Sequence, residues 1–141
     1  MKNWINIFCL FTFTSLLQSC IDNTHNKKLN GGYYLSAMDV EDDMEIIYKN
    51  EQDYMFTVVN ATVFAVGQNH DFIIAKQHPK LSSSGTDKGV TNYFIIPVKS
   101  NIDQSPEKNI YGPLTLEEFE QKRAELNIEG LEFTIVIKDL E

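Results

Sequence analysis

Thr62-Val63-Phe64-Ala65-Val66-Gly67-Gln68-Asn69-His70-Asp71-Phe72-Ile73-Ile74-Ala75 is the stretch whose reading decides the fold. Two β-branched and aromatic runs flank Gly67-Gln68-Asn69-His70, whose residue types favour a turn, so the segment predicts a β-hairpin. Phe72 to Ala75 is apolar at every position. A strand with one wet face would alternate instead, so this one is expected at the centre of a sheet and covered on both sides.

Downstream, Tyr93 to Val98 repeats the pattern, but Pro97 has no N–H to give and pushes that end toward an edge or a bulge. Lys80 to Val90 and Lys99 to Asn109 are polar and read as loops. The clearest local signal follows. Thr115 and Glu118 form a capping box, with Leu114 and Phe119 at the two staple positions around it and Pro113 fixing the entry path. Leu116, Phe119, Arg123 and Leu126 then make one helical stripe, Glu118 is spaced to pair with Lys122, and Gly130 permits the stop. Phe133, Ile135 and Ile137 alternate with Thr134, Val136 and Lys138 in a last strand.

Upstream of the hairpin, Gly31-Gly32 opens a first strand at Tyr33-Tyr34-Leu35. Met44 to Lys49 and Tyr54 to Val59 supply two more. The expectation is an α+β domain: an antiparallel sheet of about six or seven strands, with one helix in the C-terminal half packed on it.

The N-terminus carries an address. Lys2 and the amino group precede an uncharged apolar run, Trp4 to Leu17, which suits a signal-peptide core and falls short of the ~20 residues of a spanning helix. Leu16-Leu17-Gln18-Ser19-Cys20 resembles a bacterial lipobox, in which cleavage leaves the cysteine first and acylated. The expected organisation is a lipoprotein signal peptide over 1–19, a lipidated Cys20 and flexible tether over 20–30, and one globular domain over 31–141. The tether would reach on the order of 17 Å. Asp22 and Asn23 are no dense acidic run, so the periplasmic face is expected rather than the cell surface.

With the leader gone, 122 of the 141 residues remain, enough for a single core. Cys9 leaves with the leader and Cys20 is taken by lipid, so no thiol is left for a disulfide. Twelve basic side chains become eleven with the loss of Lys2, against twenty acidic ones, a net charge of −9. That surface repels phosphate backbones and anionic head groups, which excludes nucleic acid and leaves membrane attachment to the acyl chains.

Asp39, Glu41, Asp42, Asp43 and Glu45 crowd five carboxylates into seven residues. A calcium loop needs glycine at its sixth position, where this chain has Met44, so the cluster reads as a solvated turn or a contact for a basic partner. His25, His70 and His78 lack metal-ligand spacing, and no metal or cofactor is assigned. Ser82-Ser83-Ser84 lies near His78 without a nucleophile elbow, and no catalytic residue is assigned. Arg123, the chain's one arginine, lies on the helix stripe; its guanidinium is held by a carboxylate such as Glu120, or offered to a ligand as a planar fork, or its stem packs with the head turned to water. Tyr33, Tyr34, Tyr93 and Tyr111 either pack or line a binding face.

Gly32-Tyr33-Tyr34, Thr62 to Val66, Phe72-Ile73-Ile74-Ala75-Lys76-Gln77-His78-Pro79, Asn92-Tyr93-Phe94-Ile95-Ile96, and Tyr111-Gly112-Pro113-Leu114-Thr115 leading to Glu118-Phe119 together resemble a family of small uncharacterised bacterial lipoproteins, known only as a domain of unknown function. The resemblance covers most of the mature domain and implies an exported, anchored protein. It transfers no catalytic residue. The expected function is a lipid-anchored, non-catalytic binding module of the cell envelope, of inhibitor or immunity type. Its candidate contacts are Asp39, Glu41, Asp42, Asp43, Glu45 and Arg123. A small hydrolase of envelope polymers is the alternative.

Overall fold

The computed structural model describes residues 25–82, 85–98 and 106–141. The leader, Cys20, the start of the tether, two of the three loop serines and most of the 99–109 loop lie outside them. Among these described residues nine strands and one α-helix follow in order: β1 (His25–Lys28), β2 (Tyr33–Ala37), β3 (Glu45–Lys49), β4 (Met55–Val59), β5 (Val63–Gln68), β6 (Phe72–Gln77), β7 (Asn92–Pro97), β8 (Tyr111–Leu114), α1 (Leu116–Glu125) and β9 (Ile135–Val136).

The strands form two antiparallel sheets rather than one. The first runs β1-β2-β3-β4 and the second β8-β7-β6-β5-β9. The α+β class stands, and the expectation of a single sheet is corrected. The reason lies in β6. Both of its faces are apolar, as the sequence implies, and each face has its own cover. Ile73 and Ala75 point into a core shared with Leu35, Ile46, Val59 and Phe94. Ile74 points the other way, with Ile95, Phe119 and Ile128, under the helix. The order of layers is therefore sheet, sheet, helix.

β6 is the middle strand of its sheet, as expected. The β5–β6 hairpin forms where the sequence places it, and Asn69 makes the turn. Its side-chain oxygen accepts from the N–H groups of Asp71 (2.9 Å) and Phe72 (2.8 Å). Asn50 does the same between β3 and β4, accepting from Gln52 (3.0 Å) and Tyr54 (2.9 Å). Gly67 is required by close approach, because a Cβ there would overlap the backbone carbonyl of Glu132 where that segment crosses β5.

Several local expectations need correction. His25–Lys28, expected within the tether, is an edge strand paired with β2. The sequence offers no apolar signal there because an edge strand needs little burial. The last strand shrinks to Ile135–Val136. The expectation at Pro97 holds, by contrast: pairing of β8 with β7 stops at Ile95↔Tyr111, so the Pro97 end of β7 has β6 alone beside it.

The helix begins with its capping box intact. The Thr115 hydroxyl accepts from the Glu118 N–H, and the Glu118 carboxylate accepts from the Thr115 N–H at 2.8 Å. Leu114 and Phe119 meet in the second core. The stop, however, is Asn127 and not Gly130. Asn127 takes φ +55°, its N–H reaches the Ala124 carbonyl, and the Ile128 N–H reaches Arg123, a Schellman arrangement with Ile128 buried beneath it. Lys122 pairs with Glu125 rather than Glu118, whose carboxylate is held by the cap. Leu116 is exposed at the rim, leaving Phe119 as the helix's buried residue.

Candidate functional site

The register of the first sheet fixes where the acidic turn stands. β2 ends at Ala37, and the chain to β3 folds into a single 3-10 turn, Glu41–Asp43. The Asp43 and Met44 N–H groups donate back to Val40 and Glu41. Neighbouring segments pin this turn. The Thr62 hydroxyl donates to the Asp42 carbonyl at 2.7 Å, and the Val63 N–H donates to Met44 at 2.7 Å. Lys80 reaches Asp43 at 3.1 Å, and the Thr57 hydroxyl reaches Glu45 at 3.3 Å. Asp39 and Asp42 are exposed, and Glu41 is half-buried. The five carboxylates thus share one end of the sandwich but do different things there.

Beside the turn lies a groove of about 300 Å³ between the open edges of the two sheets, lined by Asn26, Lys27, Leu35, Glu41, Met44, Ile135 and Ile137. Lys27 pairs with Leu35 across β1 and β2, so it shares Leu35's inward-facing side. Lys27 itself is exposed, and a charged lysine on an edge strand discourages edge-to-edge pairing with other chains. The groove is mostly apolar. It has one carboxylate, Glu41, where glycoside hydrolysis requires two.

Arg123 is not part of this end. It sits on α1, in the outer layer, and its guanidinium is held from all sides. One nitrogen bonds both oxygens of Glu120 (2.9 and 3.1 Å), and another bonds the carbonyls of Leu131 (2.8 Å) and Glu129. Nε points to Ile128 (3.4 Å). The same group lies 5.3 Å from the centre of the Phe119 ring. The pairing with Glu120 is the one the sequence allowed, and the three carbonyls add to it an internal clamp that ties the segment after the helix to the helix itself.

The tyrosines do not share a face. Tyr33 is buried between the sheets against Tyr48, and burial, then Tyr48, pushes its phenol above the ordinary value. Tyr93 packs on Phe119 beneath the helix, while Tyr111 lies under Lys122 at the surface.

Sequence reasoning passed over a buried polar knot at the same end as the acidic turn. His78 is 4% exposed, its Nδ1 lies 2.7 Å from the Val90 carbonyl, and its ring stacks on Phe64. A carbonyl can only accept, so Nδ1 carries the proton. Nε2 is buried without a partner among the described residues. Gln77 joins the knot, donating to Ala61 and accepting from Asn92, each at 2.9 Å. The signal was available, since Gln77-His78 directly continue the doubly covered strand. Among the described residues, no group of three or more His, Cys, Asp or Glu could hold a metal. Nor is any helix there long and apolar enough to cross a membrane.

Residues 30–140 match the family described as "Protein of unknown function (DUF3997)", and the chain belongs to that family. No curated protein and no solved structure matches the chain.

Proposed function

We propose that this protein is a lipid-anchored component of the bacterial cell envelope, held on the periplasmic face through acyl chains on Cys20, and that it acts as a non-catalytic interaction module. The acidic turn recognises a basic protein partner, in the manner of an inhibitor or immunity protein. The leader and the lipobox-like Leu16-Leu17-Gln18-Ser19-Cys20 support the anchor. The observation that carries the binding role is the pinning of the turn. Thr62 and Val63 hold the Asp42 and Met44 carbonyls at 2.7 Å, so the exposed Asp39 and Asp42 are presented on a rigid frame. Preorganised charge speeds encounter with an opposite surface and costs little ordering on binding.

The test compares complexes recovered in detergent from envelopes carrying the native chain or D39N/E41Q/D42N. A partner lost from the variant and shed as salt rises supports the reading. Recovery of no reproducible partner, or of one indifferent to both charge and salt, refutes it. Mass spectrometry of the mature N-terminus checks the anchor separately, and an unacylated start refutes that part.

A further inference from the structure

β1 runs antiparallel to β2 with His25 opposite Ala37, so the chain enters the domain at the end where Met38 begins the acidic turn. Cys20 lies five residues upstream of His25. Even fully extended, that stretch spans no more than about 18 Å. If Cys20 is the anchor, which rests on the reading above, this end of the sandwich faces the bilayer. The Asn50 and Asn69 hairpins point away from it.

The membrane-facing end is not only acidic. Met38 is 76% exposed and Val40 53%, and Val90 stands open in the neighbouring loop. Two cations at this end are engaged within the domain: Lys80 on Asp43, and Lys88 on the Asp139 and Glu141 carbonyls. Apolar side chains at the tip of a turn favour the headgroup layer. Tethering strengthens that weak preference by holding the tip at high effective concentration beside the lipid. Asp39, Glu41 and Asp42 oppose it wherever the lipid itself is negative.

We propose that the Met38–Val40 tip rests in the headgroup layer of a zwitterionic bilayer when the chain is anchored, and that anionic lipid lifts it off. Lifting needs little height. The repulsion fades over a screening length of about 8 Å at physiological salt, which the tether exceeds. The domain therefore has two postures on the membrane, set by lipid charge, and the acidic turn is open to a partner only in the raised one.

The test uses the chain from Cys20 onward, which holds every residue of both cores. Its one thiol is coupled to a maleimide lipid in phosphatidylcholine vesicles, so the anchor is supplied chemically. The one tryptophan, Trp4, leaves with the leader. Met38→Trp then reports the tip alone, and His70→Trp, in the opposite turn, is the control. The expected result is a blue-shifted Met38→Trp emission quenched by brominated acyl chains, with His70→Trp unchanged. The shift disappears in vesicles rich in phosphatidylglycerol and returns at high salt. Because tryptophan itself seeks the headgroup layer, hydrogen exchange of the unsubstituted anchored chain is measured alongside. Amides 38–43 should exchange at least about threefold more slowly on phosphatidylcholine than on phosphatidylglycerol. An unshifted Met38→Trp, equal responses from both tryptophans, exchange indifferent to lipid charge, or a shift that tracks protein density as self-association would, overturns the proposal. Since the anchor is imposed, such a failure falls on the tip, whereas a native Cys20 without acyl chains indicts the anchor.

Discussion

Replacing Arg123 with alanine tests whether its guanidinium is a structural clamp. The side chain is 12% exposed, and its donors reach the carbonyls of Ile128, Glu129 and Leu131 as well as the Glu120 carboxylate. The Glu120 pair is half in water and is worth no more than about 0.5 kcal/mol. The bond to Leu131 is charge-assisted and partly buried, worth about 1.5 kcal/mol at the low end of such bonds, while the exposed bond to Glu129 adds about 0.5 kcal/mol. The stacking on Phe119 adds about 0.5 kcal/mol or more. Because the freed carbonyls lie near the surface and take up water, Arg123→Ala should cost about 2–4 kcal/mol in all. Glu120→Gln should cost no more than about 0.5 kcal/mol. Arg123→Lys should fall between, since one ammonium cannot span the three carbonyls. Urea unfolding followed by far-ultraviolet circular dichroism reads all three. If Arg123→Ala changes stability by less than about 0.5 kcal/mol, the clamp argument is wrong and the guanidinium returns as a group available to a ligand.

Two further perturbations probe the helix cap and the buried knot. The Thr115 N–H, and then its hydroxyl, hold the Glu118 carboxyl below its ordinary value of 4.5. A lowered folded value means that the cap's contribution is present above pH 4.5 and is lost as pH falls through the folded value. The stabilities of the native chain and Glu118→Gln, measured across that window, should converge on acidification; a constant gap refutes the assignment. At His78, phenylalanine keeps the stack on Phe64 and removes the orphaned Nε2, losing one bond to Val90, whose carbonyl can turn to water. His78→Phe should therefore stay within about 1 kcal/mol of the native chain while His78→Ala costs about 3 kcal/mol. A His78→Phe penalty above about 2 kcal/mol shows that Nε2 has a partner that matters.

Elements written in neighbouring residues were legible in the sequence. The 62–75 hairpin and the Thr115–Glu118 box depend on contacts within a few positions, and both form as read. Phe72–Ala75 announced that both faces were covered, but nothing local says by what. One cover is the expected helix and the other is a second sheet whose strands begin some forty residues earlier. β1 escaped notice because His25–Lys28 carries no apolar alternation, and an edge strand gains its place through backbone pairing. At the helix end two residues can take the left-handed turn, and Asn127 wins because Ile128 beside it has a buried seat, which Gly130 has not. Arg123 was placed on the correct face. Its pairing with Glu120 three residues back was legible too, whereas the carbonyls of the returning segment that complete the clamp are encoded by no periodicity.

The candidate site shows the same division between local and long-range information. That Asp39 to Glu45 form a turn is a property of seven residues. That the turn stands on a rigid frame comes from Thr62, just before β5, and Lys80, in the loop after β6, which approach it from distant parts of the chain. Its direction rests on a single register, His25 against Ala37. Register matters here more than composition. If β1 ran parallel to β2, the acidic turn would point away from the anchor and a basic partner could approach freely from solution. With the antiparallel pairing, the chain enters the domain beside the acidic turn, at His25, which lies no more than about 18 Å of extended chain from Cys20. A net charge of −8 spread evenly over the surface would serve only as solvation. On the proposed anchoring, the part of that charge concentrated beside the tether would act on the lipid surface as well as on a partner, and the two would compete for the same face. Recognition by this turn should therefore depend on membrane charge, a dependence that no assay on the detached domain would detect.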